Sequence, residues 1–112
     1  MNVAMSLDPS KFDKLAEAEL KALDAAFAEL DPDELEAEPT PGVLTLTLGS
    51  GEKIIINSHR AAGEIWMAAF RTAWHFAPHE EGDRWVWRTP TAELRSTLAK
   101  LLTEKLGRPI SV

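Results

Sequence analysis

The stretch Pro41–Phe76, PGVLTLTLGSGEKIIINSHRAAGEIWMAAFRTAWHF, decides the fold. Val43–Leu48 alternates, with Leu44, Leu46 and Leu48 on one face and Val43, Thr45 and Thr47 on the other, the period of a half-buried strand. Gly49-Ser50-Gly51 has the chemistry of a hairpin turn. Lys53–Asn57 is rich in β-branched residues and pairs back as the second arm. Glu64–Phe70 and Ala73–Phe76 read as two more strands, separated by Ala61-Ala62-Gly63 and Arg71-Thr72. The alanines between Ala61 and Phe70 also allow a helix, and local propensity leaves both readings open.

Upstream, residues 8–30 read as a helix. Asp8-Pro9 supplies an N-cap and a proline at the first helical position. Phe12, Leu15, Leu20, Leu23, Phe27 and Leu30 then form an apolar stripe. Asp31-Pro32 ends it. Leu35–Glu38 reads as a short edge strand and Pro39–Gly42 as a turn. Downstream, Glu80–Asp83 is a turn, and Arg84–Arg88 is a strand with Trp85 and Trp87 on one face and Val86 on the other. Thr89-Pro90 opens a second helix, spanning about 90–106, which Gly107 and Pro109 stop. The order is helix, five to six strands over about 35–88, then helix, all in a single domain of residues 1–112. That pattern is α+β, with both helices on one face of an antiparallel sheet and the other face in water.

The chain has no cysteine, which excludes disulfides, thiolate metal sites and a cysteine nucleophile. Its formal net charge of −6 disfavours a nucleic-acid partner and suits cations or basic protein surfaces. No apolar run approaches the ~20 residues of a membrane span, and no basic–apolar signal peptide is visible. These features give the expectation of a cytoplasmic protein. The charge is uneven: Glu17–Glu38 holds nine acids and one base, whereas Arg84–Arg108 holds six bases and two acids. Six of those acids, Glu29, Asp31, Asp33, Glu34, Glu36 and Glu38, fall within ten residues.

Carboxylates are hard ligands suited to iron, Mn²⁺, Ca²⁺ and Mg²⁺, but spaced single acids form no closed cage. The pattern therefore predicts weak cation binding at several sites, or else a solvated helix face. Two carboxylates ~7 Å apart in a water-like dielectric repel by ~0.6 kcal/mol, which a bound cation relieves. His59, His75 and His79 fall in separate predicted elements without metal-ligand spacing, and read as ordinary surface or half-buried histidines. Trp66, Trp74, Trp85 and Trp87 lie on three predicted strands. In a one-sided sheet an outward tryptophan is a protein-binding anchor and an inward one is core. No Gly-x-Ser-x-Gly motif or phosphate-binding loop is present, so no enzyme is expected.

The skeleton Gly42-Val43-Leu44-Thr45, Thr47, Gly51, Lys53-Ile54-Ile55-Ile56-Asn57, Ile65-Trp66, Ala68, His75-Phe76, and then Trp85 after a Gly-Asp turn, resembles the frataxin family, bacterial CyaY type. The resemblance implies the frataxin αβ sandwich. It also implies an iron-binding regulator or iron donor in iron–sulfur cluster assembly, binding Fe²⁺ and Fe³⁺ weakly through an acidic ridge. It implies as partners the cysteine desulfurase and the scaffold protein of that machinery, and a monomer or a metal-induced oligomer. The implied metal positions are Asp24, Glu29, Asp31, Asp33, Glu34, Glu36 and Glu38, and the implied partner-binding positions are Asn57, Trp66, Glu34 and Glu36. A protein-interaction module with incidental cation binding is the alternative, and weak ferroxidase activity is a further one. The chain departs from the family pattern at Ser58-His59-Arg60-Ala61, where a polar residue and then proline are common. It also has Glu64 where glutamine commonly precedes the Ile-Trp pair, and fewer acids around Asp24–Ala28.

Overall fold

The computed structural model describes residues 8–112. The first helix, α1 (Pro9–Phe27), starts where the sequence places it. The Asp8 carboxylate accepts hydrogen bonds from the Ser10 and Lys11 amides at 2.9 and 3.1 Å, satisfying donors that the first turn leaves free. It ends three residues sooner than the apolar stripe suggests. Residues 28–30 leave as a tighter turn, with the Leu30 amide on the Phe27 carbonyl. Leu30 still packs against the core, so hydrophobic spacing outlasts the helix itself.

Six strands follow: β1 (Leu35–Thr40), β2 (Val43–Leu48), β3 (Lys53–His59), β4 (Glu64–Ala69), β5 (Thr72–Glu81) and β6 (Arg84–Arg88). They form one antiparallel meander in sequence order. Glu64–Ala69 is a strand and not a helix, because Ile65 and Met67 alternate into the core opposite Phe76 and Trp74. The register aligns Ala37, Leu46, Ile54 and Ala69 across four strands, and Leu44, Ile56 and Met67 beside them. These form one apolar layer, which α1 covers over β1 to β3.

Other boundaries differ from the sequence reading as well. β5 runs to Glu81 rather than stopping at Phe76. Pro78 is tolerated because pairing with β4 ends at Phe76, so beyond that point, among the described residues, β5 pairs with β6 alone. The second helix, α2 (Leu94–Leu106), begins four residues after Pro90. The Thr89 hydroxyl accepts from the Thr91 and Ala92 amides and closes a local turn, an alternative to helix that threonine offers. Glu93 then caps α2 through the Ser96 amide. Gly107, at φ +73°, ends it as the sequence indicates.

Trp87 is buried and meets Phe12 of α1 edge-on, with ring centroids 5.7 Å apart. Trp85, on the same side, is half-buried under Lys11. Glu19 is 8% exposed and is held by Arg95 in a two-pronged pair of 2.8 and 2.9 Å that joins α1 to α2. The β4–β5 turn carries Phe70 at φ +50° and Arg71 at φ +73°, a conformation that disfavours any Cβ. Arg71→Gly should therefore raise the urea unfolding free energy by about 1 kcal/mol with an unchanged denaturant slope.

Candidate functional site

The acidic residues leave the α1 end and descend onto the sheet edge, but not as one cluster. Asp24, half-buried, lines a cleft of about 510 Å³ between α1 and the β1–β2 hairpin, with Lys14, Glu17, Lys21 and Pro39 also on its walls. Glu29, Asp31 and Asp33 are exposed on the connection to β1. Asp31 organises that connection: its carboxylate accepts from the Asp33 amide at 2.9 Å, and its carbonyl accepts from the Glu34 and Leu35 amides. The β2–β3 turn presses against it. A Cβ on Gly49 would lie 2.5 Å from the Asp33 carbonyl oxygen, and the Gly49 amide donates to Glu34. Glu36 and Glu38 then project from β1, opposite Thr47 and Thr45 on the face away from the helices. On a strand, alternate side chains stand ~6.6 Å apart.

Glu34 is different. Arg108, just beyond α2, grips its carboxylate with two donors, Nε on Oε2 at 3.2 Å and Nη2 on Oε1. This hydrogen bonding, helped by the guanidinium charge, holds the Glu34 carboxyl below its ordinary value and raises Arg108. Lys105 similarly binds Glu52 at 3.1 Å, and with Ser50 lowers that carboxyl. Arg95, Lys105 and Arg108 each pair with an acid from the first half of the chain. Of the acids between Glu17 and Glu38, these pairs engage Glu19 and Glu34, while Glu29, Asp31, Asp33, Glu36 and Glu38 remain exposed. Among the described residues, no three histidine or carboxylate side chains converge as a metal cage.

The uncovered sheet face carries Asn57, Trp66 and His75 in register across β3, β4 and β5. Trp66 is half-buried, not free. His59 stacks on one face of its indole at 3.8 Å between centroids and His75 on the other at 4.1 Å, with planes inclined by only 13° and 9°. The indole Nε1–H donates to Glu64 at 2.9 Å, and the same Glu64 oxygen lies 4.0 Å from His75 Nδ1. His59 Nδ1 is buried without a hydrogen-bond partner among the described residues. The sequence reading ended the strand at Asn57 and so missed His59. It also put His75 and His79 in separate elements, whereas both lie on β5 and, four apart, share a face. Strand alternation carried two residues further would have placed His59 beside Trp66. Next to the rings, Ile55, Ala68 and Ala73 form a second row, and Ile55 is 43% exposed. No helix among the described residues is long and apolar enough to cross a membrane.

The sequence pattern of the Frataxin-like domain matches residues 5–108. The chain belongs to the frataxin family. It is 38% identical over 105 residues to the iron-sulfur cluster assembly protein CyaY of Dechloromonas aromatica, covering 93% of this chain and 97% of that one. It is also 38% identical over 103 residues to the protein of the same name in Ralstonia pickettii, covering 88% and 89%. The solved frataxin from Psychromonas ingrahamii superposes with a TM-score of 0.79 over 94% of this chain and 97% of that chain, at 17% identity. The two-helix, six-strand sandwich is thus the frataxin fold.

The Glu34–Arg108 pair gives a signed expectation. A folded-state pKa below the unfolded value adds stability above the ordinary value of 4.5, and that stability is lost as pH falls through the lowered value. Arg108→Gln should therefore lose less stability than the native chain between about pH 6 and pH 3, as read from urea midpoints.

Proposed function

We propose that this chain is an iron-binding regulator and iron donor in iron–sulfur cluster assembly, working without an enzymatic step of its own in the cytoplasm. The observation that carries the proposal is the run of exposed acids from Glu29 to Glu38 beside an uncovered sheet face, in a chain whose relatives are named for that pathway. The proposed cargo is Fe²⁺ or Fe³⁺, held weakly. Exposed carboxylates are hard oxygen donors, and iron would share them with water. Glu29, Asp31, Asp33, Glu36 and Glu38 are the available ligands, and Asp24 stands apart in its cleft. Glu34 contributes only where a cation or partner displaces Arg108.

The proposed partners are the cysteine desulfurase and the scaffold of the assembly machinery. A basic patch on the desulfurase would meet the β1 acids, Glu34 and Glu36 included, while Asn57 and Trp66 meet it on the sheet. Exposed charge of this kind steers association and is screened by salt. The second reading, an interaction module with incidental cation binding, draws on the lack of a three-ligand group among the described residues. The two readings part on mutation: the first needs the β1 carboxylates for iron, and the second needs only the sheet face.

Anaerobic ferrous titration of the isotope-labelled protein, with Ca²⁺ as the control ion, should broaden Asp31–Glu38 first, with Glu34 lagging. Arg108→Gln should bring Glu34 in at lower iron. Saturating ferrous iron should weaken desulfurase binding, and so should raising salt from about 50 to 200 mM. Unchanged affinity in excess iron would leave the interaction-module reading in place.

A further inference from the structure

The row His59–Trp66–His75 joins two residues of the family skeleton, Trp66 and His75, to His59, which comes from a segment where the chain departs from that pattern. Three strands each contribute one ring. Trp66 and His75 are direct cross-strand partners, while His59, two residues beyond Asn57, reaches the indole diagonally. Both indole faces are covered at stacking distance and the indole N–H is already bonded to Glu64. Trp66 therefore has neither a free ring face nor a free donor to offer. Its edge remains, bordered by the low side chains of Ala68 and Ala73 in the next row.

We infer that His59 and His75 are positioning residues for Trp66: clamped between them, the indole meets the partner edge-on in a fixed orientation. The inference rests on the reading above that the sheet face docks the desulfurase. An anchor immobilised before docking does not lose its side-chain freedom on association, and that saving corresponds to about two- to tenfold in affinity. Glu64 is a second support, since its hydrogen bond fixes the indole in its own plane while the imidazoles fix the tilt.

The test uses three variants: Trp66→Ala, the double variant His59→Ala/His75→Ala, and the double variant His59→Phe/His75→Phe, which keeps flat rings and removes the imidazole nitrogens. For each, affinity for the purified cysteine desulfurase is measured, and nitrogen relaxation of the Trp66 indole N–H is recorded in the free protein. Unfolding curves confirm that each is folded. Trp66→Ala should weaken binding by more than about tenfold. The alanine pair should weaken it about two- to tenfold and release fast indole motion. The phenylalanine pair should stay within about twofold of the native chain with the indole still rigid. An alanine pair that binds like the native chain while Trp66→Ala does not, or an indole that stays rigid without the imidazoles, overturns the inference and leaves the docking reading standing. Native-like binding by Trp66→Ala overturns the docking reading and the inference with it.

Discussion

Among the described residues the sheet is covered on one face only, and everything else depends on that asymmetry. Leu44, Leu46, Ile54, Ile56, Ile65, Met67 and Phe76 all point to the helices and are almost wholly buried. Each removes apolar area from water at roughly 25 cal/mol per Å². A one-residue slip between any two strands would turn one strand's apolar set outward, so the core fixes the register. The register in turn sets what appears on the far side. Trp66 lies between Asn57 and His75 because Met67 lies between Ile56 and Trp74.

That dependence explains which parts of the fold could be read from the chain. The β2 alternation and the apolar stripe of α1 are signals of burial, and they place both elements. The end of α1 and the start of α2 are decided by short-range hydrogen bonds instead. At Thr89 a side-chain hydroxyl captures two amides and delays the helix past a proline that suits its first turn. The full length of β5 was hidden by Pro78, whose tolerance depends on where β4 stops pairing, a tertiary fact. The acidic residues were legible as a set. Their division into free and captured members was not, because Arg108 is 74 residues from Glu34.

The same contrast holds for the sheet face. Trp66 stood out in the sequence because of its neighbours in a recognisable motif. His59 and Glu64 mark the two places in that region where the chain departs from the family pattern, and both come to rest against Trp66. A departure from a shared pattern can be local drift. Here the two departures are spatial neighbours of one indole, one stacked on its face and the other bonded to its nitrogen.

Among the described residues β1 is an edge of the sheet, with no strand on its outer side. Such an edge is a template on which another chain can pair. Charged side chains and a proline are the usual protection, and β1 carries Glu36, Glu38 and Pro39. The carboxylates considered above as cation ligands are therefore also guards against intermolecular strand addition. A chain stripped of them to abolish metal binding loses that guard too. Poor solubility in such a variant would report on strand pairing between molecules and would carry no information about iron.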